Sequence, residues 1–428
     1  SIVNTVPAER LDPKASPMYL PSWALHVVEA STEAGSTISA ENCEDASESG
    51  AATQHLQERI SMSSAGVVSV WTANRKVCTR LSARALPSEV LSWMDEYAEE
   101  LECVVHRQRP SVVLAGGQKV TREECLDEVR SQFEQRLTNA GVESGSLPGT
   151  LCGMSVARGS RVVLLDASGS NWTLRDGACG CSNTAADKVP DVEVTSGEFV
   201  PLWMRPSVLA GFNMAANAGP LCEEPMRGVA LVLHGCQFAA APEEVNSGAL
   251  PLMASSADTY GPMSGQVMVS MKEACRYSLF RRGFARICEA MLSLDVQCEQ
   301  QMLGKVYAVL GKRRAQVLDE GLRDGTSLFY IRSHLPLADS FGLAHDLRSA
   351  ASGQVLFHCA FSHWEQSEED PFQEASLTAE ELEELGENPL PPNIARKLID
   401  AIRKRKGLAT DEKVVKEATK QRTVTRMK

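Results

Sequence analysis

The stretch from Gly283 to Trp364 leaves little freedom of fold, because its apolar periods change in a fixed order. Ile287–Val296 alternates in part and ends at the acidic Glu299, which reads as a half-buried strand. Met302, Val306, Val309 and Leu310 then recur at helical spacing, with Gly304 inside the run. Gly311 and the basic Lys312, Arg313 and Arg314 suit the negative end of that helix. Ala315–Glu320, a turn at Arg323–Gly325 and Ser327–Leu335 read as a hairpin. A second helix, Ala338–Ala350, is expected to turn Phe341, Leu343, Ala344 and Leu347 inward. After the small-residue break Ala351–Gly353, Gln354–His363 is the last strand. The order β-α-β-β-α-β is that of a split-βαβ, ferredoxin-like unit, which predicts an antiparallel sheet with both helices on one face.

The whole chain has 428 residues, enough for two to four domains. Its net charge of −12 excludes a uniformly basic nucleic-acid binder, although the charge is unevenly spread. Thirteen cysteines, scattered through expected strands and helices, read as buried free thiols in a reducing compartment and not as a disulfide framework. No apolar run is long enough to span a membrane. The chain opens on Ser1 with no basic leader and no Met, and reads as the later part of something longer.

Taken in order, residues 29–58 hold seven acids and no Lys or Arg, so a disordered acidic insertion is expected there. Gly66–Thr72 and Val77–Ala85 flank a turn containing Asn74, Arg75 and Lys76, a hairpin with a basic tip. On the residues alone that tip is also readable as an ordinary solvated turn. Ser88–Val104 and Thr121–Leu137 are expected amphipathic helices, the second with Thr121 and Glu124 as a capping box. Residues 140–198 are Gly- and Ser-rich with strand-like pieces, of which Arg161–Leu165 is the clearest. Cys179 and Cys181 offer two thiols but no second ligand pair at zinc spacing. Ser207–Ala218 and Val267–Phe280 are expected helices, and the unbroken apolar run Gly228–His234 is a strand buried on both faces.

After Thr378–Leu385, an acidic helix with its own capping box, a last helix is expected at Ile394–Lys406. It runs into a tail in which ten Lys or Arg face three carboxylates between Arg403 and Lys428. A polyanion such as ribosomal RNA suits that excess, although a charge run can equally be a solvated helix face. Chemistry is sparse by contrast. There is no phosphate loop, no nucleophile elbow, and no His paired with Ser or Cys in a recognisable signature. His234 and His358 sit inside apolar strands as core or edge residues. No catalytic, cofactor-binding or metal-binding residue is assigned, and the residues alone describe a multi-domain interaction protein.

Several segments resemble the elongation factor 2 and elongation factor G superfamily. Gly211–Ala215 and Gly219–Val229 look like its fourth domain. Gly304–Leu310, Ser340–Gly342, Asp346–Ser349 and Gly353–Gln354 look like its fifth, and Asp370–Phe372 and Arg403–Leu408 look like its C-terminal segment. Translocases of the family carry a histidine that becomes diphthamide, in an Ala-Asp-Ala-Ile-His-Arg-Gly-Gly-Gly-Gln context. Here Ala257–Gln266 places Gly261 at that position, which resembles the family's ribosome-assembly branch instead.

The resemblance implies an α+β chain. Residues 1–282 would be a domain four of the ribosomal protein S5 domain 2-like type, with a helical and irregular insertion at 88–198. Residues 283–365 would be a ferredoxin-like domain five, and 366–428 a helical extension with a basic tail. It implies a cytoplasmic GTPase whose GTP and Mg²⁺ are held outside these residues. That protein would act on the 60S subunit with the Shwachman–Bodian–Diamond syndrome protein to release initiation factor 6. The expected ribosome contacts are Asn74, Arg75, Lys76, Tyr260, Gly261, Pro262, Met263 and Ser264 at the domain-four tip. Arg348 and Ser349 in domain five, and Arg403, Lys404, Arg405 and Lys406 in the tail, complete the set. A translocase fragment and a ribosome-binding scaffold without a GTPase domain are the alternatives.

Overall fold

The computed structural model describes residues 2–5, 59–63, 66–105, 111–113, 119–141, 147–170, 172–174, 199–238, 261–280, 285–323, 325–372 and 393–410. The acidic stretch 29–58, Cys179 and Cys181, the helix expected at Thr378–Leu385 and the tail beyond 410 lie outside the described residues. The chain divides into two compact units, Thr5–Ala285 with Glu369–Lys428 and Ser1–Asn4 with Arg286–Glu368.

The larger unit is built on six strands: β2 (Ile60–Met62), β3 (Val67–Trp71), β4 (Val77–Ala85), β7 (Thr150–Ser155), β8 (Arg161–Asp166) and β9 (Arg227–Phe238). They lie in the order β2-β3-β4-β9-β8-β7, antiparallel except for the parallel pair β8–β9. A separate pair, β5 (Ser111–Val113) and β6 (Lys119–Thr121), stands off this sheet. Three helices cover one sheet face: α1 (Ser88–Glu96), α2 (Ala98–Val105) and α3 (Arg122–Asn139). Val90, Met94, Leu101, Leu126 and Phe133 from them pack on Met154, Val163, Leu165, Ala230 and Val232. Val229, Leu231 and Leu233 alternate to the opposite face and are equally buried. That is why Gly228–Leu233 has no polar position: each of its faces meets a helical layer.

The second layer consists of α4 (Arg205–Asn217) and α5 (Met263–Tyr277). These two pack closely because Gly211 has no side chain: a Cβ there would fall 2.5 Å from the Met268 carbonyl oxygen. The expected helix at 88–104 is broken at Tyr97. Asp95, at the end of α1, takes both Arg161 and Arg227 from the sheet, and both guanidinium groups are buried. Ten described cysteines are free, and eight of them are buried. Burial pushes Cys236 up to about 12, so this thiol stays protonated and unreactive at neutral pH.

The smaller unit has the expected element order, with β10 (Ala285–Glu299), α6 (Leu303–Lys312), β11 (Gln316–Leu322), β12 (Leu328–Pro336), α7 (Leu343–Ala350) and β13 (Val355–Gln366). The strands lie β13-β10-β12-β11, every pairing antiparallel. Val306, Leu310, Leu343 and Leu347 from the two helices meet Leu294, Val296, Cys298, Ile331, Leu335 and Val355 from the sheet. Phe341 departs from the expectation. It precedes α7, outside the helix, and is 76% exposed.

The grouping of the chain ends also departs from the sequence reading. Strand β1 (Ile2–Thr5) pairs with β10, which draws Ser1–Asn4 into the smaller unit and not into the domain of residues 1–282. Helix α8 (Ile394–Lys406) groups with the larger unit, because Arg403 and Lys406 bond to main-chain oxygens of Leu221, Cys222 and Glu223.

Candidate interaction surfaces

The turn between β3 and β4 is organised by its own polar side chains. Thr72 Oγ1 donates to Asn74 Oδ1 at 2.7 Å, and the Lys76 N–H donates to the same oxygen at 3.1 Å. The Arg75 N–H donates to the Thr72 carbonyl, and Arg75 adopts a left-handed φ of 56° with its side chain exposed. Asn74 thus builds the turn, while Arg75 is the residue the turn presents.

Gln266 joins this turn to the segment leading into α5. Its Oε1 accepts from the Asn74 N–H at 3.2 Å, and its Nε2 donates to the Gly261 carbonyl at 2.9 Å. Gln266 is buried, so both ends of its amide are used where water cannot substitute. Two segments that the sequence singled out, 74–76 and 261–264, are therefore held together. Gly261 has φ 84° and open space around it, a conformation that favours glycine. Pro262 precedes the first helical turn, and Met263 and Ser264 belong to that turn and not to a loop. Met263 is buried with its Sδ 3.9 Å from Asn74 Nδ2, which removes it from the contact surface; Pro262 and Ser264 stay exposed. Tyr260 lies outside the described residues.

Behind the turn, Thr79 of β4 and Ser270 of α5 meet at 3.5 Å in the interior. On β9, His234 Nε2 lies 2.9 Å from Ser82 Oγ. Burial, with Arg80 and Arg84 nearby, holds the imidazole below its ordinary pKa. It is a satisfied strand residue, and the Ser82 hydroxyl that it meets is buried.

In the smaller unit, Arg348 and Ser349 lie on the exposed side of α7, and the Arg348 guanidinium sits 5.7 Å from the centre of the Phe357 ring. The loop before α7 is fixed from the end of α6. Arg313 donates to the carbonyls of Asp339 and Phe341, the latter at 2.8 Å, and to the Asp346 carboxylate at 2.5 Å. That hydrogen bond holds the Asp346 carboxyl below the ordinary carboxylate range. Arg314 bridges Asp339 at 2.7 Å and both oxygens of Glu289 at 3.1 and 2.9 Å.

The basic run in α8 divides by helical register. Asn393 caps the helix by accepting from the Arg396 N–H, and Gly407 ends it with φ 71°. Arg403 is buried, donating to the Leu221 carbonyl at 2.6 Å and the Ala409 carbonyl at 2.7 Å. It is an anchor, contrary to its expected place at a ribosome-facing surface. Lys406 is likewise turned to the 222–224 turn, with Nζ 2.5 Å from Glu224 Oε1. Lys404 and Arg405 remain exposed. Gln266, Arg313 and Arg314 went unmarked in the sequence as organising residues, because their partners lie far away along the chain.

Among the described residues, no group of three or more His, Cys, Asp or Glu could hold a metal ion, and no helix is long and apolar enough to cross a membrane.

Residues 286–375 match the family described as elongation factor G C-terminus. The chain is 31% identical over 420 residues to elongation factor-like GTPase 1 of Homo sapiens, a match covering 87% of this chain and 35% of that protein. It is 37% identical over 218 residues to ribosome assembly protein 1 of Saccharomyces cerevisiae, covering 51% of this chain and 19% of that protein. The corresponding Schizosaccharomyces pombe protein is 34% identical over 227 residues, covering 53% and 22%. The chain spans about a third of the length of the first of these relatives.

Proposed function

We propose that this chain, a member of the elongation factor G superfamily related to its ribosome-assembly GTPases, is the ribosome-binding part of a protein that matures the 60S subunit in the cytoplasm. In this reading the β2–β9 sheet with α4 and α5 is domain four, the α1–α3 layer is its insertion, and the smaller unit is domain five. Domain four reaches the subunit with the Arg75 turn and the Gly261 segment, and domain five is seated near the GTPase-associated centre. Acting with the Shwachman–Bodian–Diamond syndrome protein, the factor releases initiation factor 6. GTP and Mg²⁺ belong to the longer protein: the sequence has no phosphate-binding loop, so no step of hydrolysis is assigned to these residues. What the chain supplies is a conformation-dependent grip, so that nucleotide state elsewhere biases remodelling of the partner.

The observation that carries the reading is the Gln266 clamp. It makes one surface of two segments 192 residues apart, with glycine where translocases of the family carry their modified histidine. The test is to express the full-length protein with Asn74, Arg75 and Lys76 replaced by alanine in cells depleted of the endogenous copy. Initiation factor 6 is expected to accumulate on cytoplasmic 60S particles. Normal release, with undiminished 60S binding, would remove the tip from the mechanism.

A further inference from the structure

Every residue of β11 except Gly321 is exposed. Among the described residues the strand has a neighbour on one side only, β12. Three of its side chains are large and apolar: Val317, Leu318 and Leu322 are 41%, 59% and 54% exposed. The edge of a sheet is ordinarily guarded by Lys, Pro or a bulge, because its free main-chain groups invite another strand. β11 has neither Lys nor Pro. Its irregularity is the register shift between Val317 and Asp319, which leaves Asp319–Leu322 regularly paired and open on the far side.

The register shows which main-chain groups are open. The Arg323 N–H donates to the Leu328 carbonyl across the hairpin, and the direction of these groups alternates along an antiparallel pair. Asp319 and Gly321 therefore turn theirs to β12, while Glu320 and Leu322 turn theirs to the open edge. Side chains alternate as well. Glu320 stands opposite Ile331 and Val317 opposite Ser333, both buried, and Leu322 follows Glu320 two residues on. Val317, Glu320 and Leu322 thus share the helix-covered face of the sheet, at an uncovered margin.

Charge selects the partner. Asp319 has Arg332 at 3.9 Å, whereas Glu320 is exposed and makes no ion pair among the described residues. No Lys or Arg occurs from Gln316 to Leu322. A cation flanked by apolar side chains would complement this margin, and opposite charges across paired strands are favourable. A second copy of β11 would set acid against acid, and a nucleic acid would bring phosphates to the same carboxylates. The other edge, β13, exposes Leu356 and Phe361 but has no Asp, Glu, Lys or Arg from Val355 to Trp364, so nothing on it selects a partner.

We propose that the open edge of β11 receives an extended protein segment as an added strand. The segment carries the pattern apolar, any, Lys or Arg, any, apolar, set against Leu322, Glu320 and the Val317–Leu318 bulge. Main-chain bonds to Glu320 and Leu322 hold it, and the basic side chain fixes its register. Such a contact is made to protein, and it stands whether or not the chain binds the ribosome.

The test is selection of a displayed library of short random peptides on the purified chain. Enriched peptides are expected to share the stated pattern. With one of them bound, the Glu320 and Leu322 amides should exchange about tenfold more slowly, while those of Asp319 and Gly321, already turned to β12, should change little. Glu320→Lys is expected to weaken that peptide about tenfold, and Glu in place of its basic residue to restore binding to this variant. Both Glu320 and Leu322 are exposed, so the unfolding midpoints of Glu320→Lys and Leu322→Lys should match wild type, which separates lost contact from lost fold. No enrichment, enrichment of acidic peptides, equal binding to Glu320→Lys, or protection away from residues 318–322 overturns the proposal. So does a dimer of the chain in sedimentation that Leu322→Lys dissolves, since the edge would then belong to a second copy.

Discussion

The turn at Thr72–Lys76 in the larger unit and the loop at Leu337–Gly342 in the smaller one are both held by side chains from a neighbouring helical segment, but the holding chemistry differs. Gln266 is a neutral, buried amide that donates to one segment and accepts from the other. Arg313 and Arg314 are guanidinium groups, partly open to water, working on carboxylates and carbonyls. A neutral clamp in the interior is indifferent to salt and pH and fails only when its geometry is lost. A charged clamp near the surface is stronger bond by bond but open to screening and to acid. The difference follows the place of each clamp, one buried in the interior and one at the surface.

The largest effect expected on this comparison comes from Arg314→Ala. It removes three charge-assisted bonds and leaves Glu289, largely buried, without them. A loss of about 2–3 kcal/mol confined to the smaller unit is expected, read by hydrogen exchange of its amides. Equal loosening of both units would show that the clamp is not local. Gln266→Ala comes next, at about 1–2 kcal/mol, since it removes the bonds from the Asn74 N–H and to the Gly261 carbonyl. Exchange should rise at 74–76 and 261–266 together; a rise in only one segment would break the account of a shared clamp.

Gly261→Ala is smaller, about 1 kcal/mol, because the site is open and only the φ of 84° resists a side chain. Last is acid. The Asp346 carboxyl is held below its ordinary value by Arg313. Its contribution is therefore complete above about pH 4 and fades only as pH falls through the lower folded value. Protection of the Phe341–Leu343 amides, taken relative to their intrinsic exchange rate at each pH, should fall in that window, while that of Asn74, whose clamp does not titrate, should not follow.

These clamps also mark where the sequence stops being legible. The βαββαβ order could be read because Val306, Leu310, Leu343 and Leu347 recur at helical spacing and all reach the core. The run at Gly228–Leu233 could be read because burial on both faces leaves no polar position. Phe341 was misread because a single left-handed glycine resets a register that periodicity assumes continuous. Arg403 was misread because a run of cations does not say which of them faces inward; only the turn at Leu221–Glu224 decides it. Strand β7 escaped because Thr150–Ser155 is poor in β-branched residues and exists through pairing with β8. Gln266 could not be found at all, since nothing local in a polar residue of an amphipathic helix reveals a partner 192 residues away.

The central claim is that the Arg75 turn, joined by Gln266 to the Gly261 segment, grips the large ribosomal subunit. Equilibrium binding of the purified chain to separate 60S and 40S subunits tests it most directly. The account predicts selective 60S binding that falls at least tenfold when Asn74, Arg75 and Lys76 are replaced by alanine. Equal affinity for both subunits, or a tip variant that binds 60S as wild type does, would contradict it.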